Sequence, residues 1–456
     1  MTISTRISVF LIVILQISAV SPAFAFDPVL IDSVEVTGGV TVSKETPPPF
    51  WMEANRDGRI SRESGSSFFT RLRLLKNADR AKNFDWMYGI DVTSRTNASS
   101  DLVWTDGYAG VAWKKLRLNV GRKSEFFGLA DSLLSAGPEV YSRNAPTIPK
   151  IALSTNGYVN LTRNLAFNAY LAHGWMGEEQ YVADAYLHQK FLYLRYGSAP
   201  PDRGVNLYFG VHHLAVWGGA NNPSGFSDFI RVFSGKNGGG GAGITEQQNA
   251  LGNHLGSIEY ALQLKSVARD WLFYASTLFE DGSGLKMLGL VKPGDYLLGA
   301  SLINKPADCR VKRINLEYFY TCGPIFNQTE HDNYFNNGIY LSGWTHEGYG
   351  IGHPFISFTE GENYAFNAQN RIQGANAAVA LAFSDLWNPI VRVAWIRQFG
   401  SFNDAPHPGI DRYAFGLGNT STISAGWRLN QELFFDAGAS MKPNAGMLLS
   451  VTRSFL

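Results

Sequence analysis

Apolar and polar residues alternate with a period of two along most of this chain. Leu116, Leu118 and Val120 stand between Lys115, Arg117 and Asn119. Ile258, Tyr260, Leu262 and Leu264 are interleaved with Ser257, Glu259, Ala261, Gln263 and Lys265. The same alternation runs through residues 86–93, 313–320, 391–395 and 423–430. Such segments read as strands with one apolar and one polar face. A soluble sandwich alternates too, so length decides. These segments run to about nine or ten residues, which suits a tilted membrane strand, whereas soluble strands average nearer six. Their apolar faces often end in Tyr or Trp, as interfacial girdles do. The chain also closes on a strand-like stretch in which Met447, Leu449, Val451 and Phe455 share a face, interrupted by Arg453. The pattern predicts an all-β, transmembrane antiparallel β-barrel of about 18 strands, within a range of roughly 16 to 18. No amphipathic helix of useful length is expected.

Three stretches break the alternation: 124–150, 217–253 with its Gly238–Gly241 run, and 331–354, rich in Asn, Gly, Tyr and Trp. Long loops without regular structure are usually functional. In a barrel they lie outside or fold into the lumen, and here the expectation is a lumen closed by inward-folded loops. The glycine run lacks the Lys-Ser/Thr and helix context of a phosphate loop. At the N-terminus, Arg6, an apolar run to Val20 and Ala23-Phe24-Ala25 have the order of a secretory signal peptide, cleaved after Ala25. That leaves 26–456 as one barrel domain in the cell outer membrane, with outer-membrane lipid and the barrel-assembly machinery as partners. The full chain holds 39 basic and 38 acidic residues, so losing Arg6 leaves it formally neutral and without an electrostatic case for nucleic acid. Aromatic residues at 13%, charged residues at 17% and 47 glycines suit one large all-β body. Cys309 and Cys322 flank a strand read over 313–320, which would hold them roughly 40 Å apart. A disulfide needs about 7 Å, so free thiols are expected.

Several motifs are collinear with those of a known family. They include Leu187-His188-Gln189-Lys190-Phe191, Gly210-Val211-His212-His213 before Trp217-Gly218-Gly219, and Asn249-Ala250-Leu251-Gly252-Asn253-His254. Phe279-Glu280-Asp281-Gly282 and Ser142-Arg143-Asn144-Ala145-Pro146 belong to the same series. The most distinctive is Asp332-Asn333-Tyr334-Phe335-Asn336-Asn337, followed by Ser342-Gly343-Trp344 and Gly350-Ile351-Gly352-His353-Pro354. Together, over roughly 50–354, they resemble the Wzi family of capsule-assembly proteins. The resemblance implies an 18-strand outer-membrane barrel that does not conduct and that holds capsular or related extracellular polysaccharide at the cell surface. It departs in one respect: the strand-like 33–42 follows the signal so soon that the family's helical bundle ahead of the barrel is expected to be absent.

A polysaccharide binder needs flat aromatic faces for sugar C–H surfaces and polar groups for hydroxyls, held on rigid loops so that little entropy is lost on binding. Trp217, Tyr334 and Trp344 are the stacking candidates. Asp332, Asn333, Asn336, Asn337 and His346 are the hydrogen-bonding candidates. The bland alternative is a lumen-filling network in which these groups satisfy one another. His212, His213, His254, Glu280 and Asp281 invite a metal reading. They lack compact spacing, and adjacent His212 and His213 point to opposite faces of a strand. No metal or cofactor is expected. Ser257 with His254, or Ser342 with His346, would be needed for a barrel enzyme acting on lipid or glycan. Neither pair has a flanking pattern that selects it, so the chain reads as a non-enzyme. A porin for sugars or other small solutes is the remaining alternative.

Overall fold

The structure, a computed structural model, describes residues 30–96, 102–197, 203–280, 295–323, 333–404 and 407–455. The expected signal peptide and Asp332 lie outside the described residues. The wall opens with β1 (Ser33–Ser43), β2 (Ser66–Lys76), β3 (Phe84–Arg95), β4 (Leu102–Trp113) and β5 (Leu116–Arg122). It continues through β6 (Lys150–Thr155, extended by Val159–Asn160), β7 (Leu165–Trp175), β8 (Tyr186–Gly197) and β9 (Gly204–Trp217). Then come β10 (Asn253–Lys265), β11 (Arg269–Phe279), β12 (Asp295–Asn304), β13 (Val311–Thr321) and β14 (Ile372–Leu381). The last four are β15 (Pro389–Gln398), β16 (Ile410–Ser424), β17 (Trp427–Gly438) and β18 (Met441–Ser454). Each strand pairs antiparallel with the next, and β1 pairs with β18 from Glu35↔Ser454 to Ser43↔Gly446. The result is the expected closed barrel of 18 strands. Closure leaves no edge with unpaired backbone groups, which lipid could not satisfy.

The alternation assigns the two faces. Leu116, Leu118, Val120, Leu192, Leu207 and Leu433 point outward and are exposed. Trp86 stacks on Tyr88 and Trp271 on Phe273, giving aromatic pairs on this outer face. Asn206, Glu259, Asn315, Glu317 and Asn376 are buried on the inner face, where polar groups can find partners away from lipid. The start of β1 and the end of β18 lie at one end, joined by the Phe455 N–H to the Val34 carbonyl at 3.0 Å. That end carries short turns and is periplasmic, while the long loops crown the extracellular end. Cys309 and Cys322 sit beyond opposite ends of β13, and both are free thiols, as expected.

Three outer loops turn inward. Loop 44–65 carries α1 (Phe50–Glu53), whose Phe50, Trp51 and Met52 are buried. Loop 123–149 and residues 333–371 meet it inside the barrel. Phe50 packs on Phe355 at 5.6 Å, Asn55 donates to the Ala136 carbonyl at 2.6 Å, and the His353 N–H reaches the Glu139 carbonyl at 2.9 Å. The wall grips loop 123–149 through two carboxylates. Glu259 on β10 accepts the Leu129 N–H at 2.8 Å and the Tyr193 hydroxyl at 2.7 Å. Glu317 on β13 accepts the Ala136 N–H at 2.7 Å, the Ser135 hydroxyl at 2.5 Å, the Tyr274 hydroxyl at 2.6 Å and the Asn376 amide at 2.9 Å.

Glycine makes both grips possible. Tyr193 lies across Gly210 of the next strand, where a Cβ would come within 1.9 Å of its ring, and Tyr274 lies across Gly299, where a Cβ would come within 2.1 Å. With no side chain beneath it, each ring lies flat along the wall and its hydroxyl reaches the carboxylate.

Loop 218–252 behaves differently from the expectation that it would help fill the lumen. It contains α2 (Phe226–Ser234) and α3 (Ile244–Gln248), and α2 packs on the outer wall. The absence of any useful amphipathic helix, expected from the sequence, is therefore corrected. The Asp228 carboxylate accepts the Gly225 N–H at 3.0 Å to start α2, and Gly235 at φ 63 ends it. Nine residues between two glycines are too few for a 3.6-residue period to stand out, since that test needs a window of about 11 to 18.

Candidate functional site

The inward loops stop short of the extracellular rim and leave a cavity of about 1130 Å³ at the outer mouth. Its floor and walls come from loop 44–65, the upper ends of β3, β5 and β16, residues 176–179, and the 346–366 segment. Arg62 fixes one side. Its guanidinium pairs with Glu53, donates to the Gly348 carbonyl at 2.9 Å and lies 4.7 Å above the Tyr349 ring. Arg122, from β5, pairs with Glu347 at 3.3 Å. Two arginines far apart in sequence thus clamp one turn, at Glu347-Gly348. A planar guanidinium can hold such a turn while leaving a face toward the cavity.

Two hairpins build the other side. In the first, Thr345–His346 pairs with Tyr349–Gly350 around Glu347 (φ 50) and Gly348 (φ 76). In the second, Ser357–Glu360 pairs with Phe366–Gln369, and the turn residues Asn363 (φ 54) and Tyr364 (φ 60) are both left-handed. Consecutive positive φ values are the habit of type I′ turns, which favour Asn then Gly. The first hairpin has Gly at its second position. The second has Tyr, a side chain that strains there by roughly 1 to 2 kcal/mol. The Ser342 hydroxyl accepts nothing from this turn but donates to the Tyr364 carbonyl at 2.8 Å, holding its backbone. The Tyr364 ring stays 50% exposed and lines the cavity. The left-handed backbone at Tyr364 thus holds an aromatic face toward the cavity.

The residues singled out in the sequence fall into three places. Tyr334 and Trp344 are wholly buried in the inner loop core, and the Trp344 indole donates to the Val140 carbonyl at 2.7 Å. Asn333, Asn336 and Asn337 lie beside them in an amide network. Asn336 exchanges hydrogen bonds with the Ala368 backbone and donates to Asn333 at 3.0 Å, while Asn337 accepts from the Ile339 and Tyr340 N–H groups. His346 reaches the cavity wall. Burial, aided by the nearby Arg122 charge, pushes its pKa down to about 3, so it meets the cavity as a neutral ring. Trp217 is apart from all of these, on the outer wall beneath α2. Arg62, Arg122, Tyr349 and Tyr364 were not anticipated. Only Tyr364 carries a local signal, an aromatic beside Asn363 at a turn.

Among the described residues no group of three or more His, Cys, Asp or Glu is arranged to hold a metal ion. His254 bonds His213 at 2.9 Å, and the two lie on neighbouring strands of the outer wall. Ser257, on the inner face, donates to Glu259 at 3.0 Å.

Comparison with known proteins places this barrel. The family described as capsule assembly protein Wzi matches residues 36–381. No curated protein sequence matches. Among solved structures, the chain resembles Wzi of Escherichia coli, described as an outer membrane protein involved in group 1 capsule assembly and a carbohydrate-binding β-barrel. The TM-score is 0.62 at 14% identity, over 93% of this chain and 85% of that one. Two Pseudomonas aeruginosa proteins, OccK5 (OpdH) and OpdL, each match at a TM-score of 0.48. OccK5 is 9% identical over 92% of this chain and 96% of its own, and OpdL is 12% identical over 92% and 97%. The barrel is an outer-membrane protein. With about three quarters of its length covered by the family match, the chain belongs to the Wzi family of capsule assembly proteins.

Proposed function

We propose that the chain binds surface polysaccharide at the outer mouth of its barrel and so retains capsular or related polymer on the cell. The observation that carries this reading is the cavity of about 1130 Å³, open to the exterior and lined by Tyr364, Tyr349, Phe358 and clamped arginines. Aromatic faces and fixed polar groups are what a sugar chain needs, and family membership supplies the biological setting. The reading is of a binding protein, inserted by the barrel-assembly machinery, and not of an enzyme or an open channel. Against a channel stands the depth of loop 123–149. Its Asp131 pairs with Arg313 at 3.0 Å, and its Leu133 carbonyl accepts from Arg392 at 3.1 Å, both near the periplasmic ends of their strands.

Deleting the gene should move polymer from the cell surface into the medium while total polymer stays constant. Equal surface-bound polymer in mutant and parent would sink the proposal. A finer test is Tyr364→Gly. The glycine relieves the left-handed backbone, so thermal stability should hold or rise, by up to about 1 kcal/mol. Loss of an exposed aromatic contact should weaken binding of purified polymer roughly tenfold. Unchanged affinity in calorimetry would remove Tyr364 from the site.

A further inference from the structure

The outer helix α2 presents an apolar stripe that the wall does not cover. At 100° per residue, Val232, Phe229, Phe233, Phe226 and Ile230 span an apolar arc of about 160°. The wall takes only half of it. Val232 is fully buried, and Phe229 packs against His173, His188 and Trp217. Phe226, Ile230 and Phe233 remain 80%, 47% and 41% exposed. Ser227, Arg231 and Ser234 occupy the opposite side.

The position of the helix identifies what covers that stripe. On β8, Leu187, Gln189 and Phe191 face the lumen, where Gln189 accepts from Lys150 at 3.0 Å and Phe191 stacks on Tyr170. Tyr186, His188, Lys190 and Leu192 therefore face outward. Phe233 lies 4.3 Å from the Lys190 ammonium, which also donates to the Phe233 carbonyl. One outward step below Lys190 is Leu192, 49% exposed, where the lipid-facing belt begins. The open stripe of α2 thus continues the belt upward, with Lys190 against Phe233, Arg231 within the helix and Lys236 just past its end.

We propose that α2 lies in the boundary of the outer leaflet, with Phe226, Ile230 and Phe233 among acyl chains and the three cations matched to anionic lipid headgroups. Amphipathic helices with basic residues beside an apolar face settle at that depth. The helix then braces the extracellular loops against the membrane plane. This inference rests on the membrane setting and is independent of the polymer reading.

Spin labels test it in the full chain. In a Cys309→Ser, Cys322→Ser background, single labels are placed by Ile230→Cys, Phe233→Cys, Ser227→Cys and Ser234→Cys. Each protein is reconstituted in phosphatidylethanolamine–phosphatidylglycerol vesicles, and its fold is checked by heat-modifiable gel mobility. Labels at 230 and 233 should be reached by oxygen in preference to a nickel chelate, and those at 227 and 234 the reverse. Nickel reaching position 230 as freely as 227 would overturn the proposal. So would spin–spin broadening at 230, which would mean a second copy of the chain covers the stripe. As a second measurement, the unlabelled chain should retain more phospholipid in native mass spectrometry than a Phe226→Ser, Ile230→Ser, Phe233→Ser variant. Equal retention would count against it. Replacing phosphatidylglycerol by phosphatidylcholine should move the 230 label toward water, and an unmoved label would overturn the headgroup match.

Discussion

Replacing Glu317 by alanine is expected to loosen loop 123–149 and open the barrel to ions. The carboxylate is the common acceptor for Ser135, the Ala136 N–H, Tyr274 and Asn376, all buried donors. Its loss strands them in a site that water reaches only if the loop moves. A buried polar group left unpaired costs about 1 to 3 kcal/mol. Water entering the new space offsets part of that, so a net loss of about 3 to 5 kcal/mol is expected. Planar-bilayer recordings should show a quiet parent and fluctuating conductance in Glu317→Ala, with a lower melting temperature in detergent. Glu317→Gln keeps one acceptor oxygen and should fall between. A silent, fully stable Glu317→Ala barrel would mean that the loop is held mainly elsewhere.

Glu139 should make the barrel less stable in mild alkali. It sits in loop 123–149, 2% exposed, and burial lifts its pKa from 4.5 to about 8, with the nearby carboxylates of Glu259 and Asp295 adding to the rise. The packed form is therefore the protonated one. When the loop is released the carboxyl ionises above pH 4.5. Its contribution is thus complete below pH 4.5 and is lost progressively as pH rises to about 8. A difference of that size is worth roughly 5 kcal/mol. His346 and His353 act in the opposite sense, since burial lowers each from 6.5 to about 3. They stabilise above pH 6.5 and lose that contribution as pH falls toward 3. Between pH 6.5 and 8 the slope belongs to Glu139 alone among these three. Melting curves should fall across that window in the parent and fall less steeply in Glu139→Gln, since Glu259 and Glu317, carboxyls buried like that of Glu139, remain to contribute. An equal slope in both would refute the assignment.

The wall was legible because a membrane strand has two unlike solvents, and one residue of slippage would put Lys115 or Arg117 in lipid. Loop length and position were legible for the same reason, as interruptions of the alternation. What those loops do inside was not. Trp344 and Tyr334 have the composition of a sugar platform, and nothing in sequence says that Val140, some 200 residues earlier, takes the indole hydrogen. The Arg62 clamp on Tyr349 spans more still, about 290 residues. Trp217 was grouped with the loop aromatics because the chain beyond it reads as loop, while its own strand turns it outward. Short α2 was hidden among glycines.

The two carboxylate grips also set an order of events. Loop 123–149 precedes its anchors along the chain by 130 residues at Glu259 and by 181 at Glu317, and the Leu134 carbonyl waits 242 residues for Asn376. Contacts of such separation form late, after the intervening loops have closed. A nascent barrel of β1 to β9 holds its long loop with neither grip yet in place. The inward loop can be anchored only once β10 and β13 have been laid down, so the wall's second half must be built before its first long loop is held.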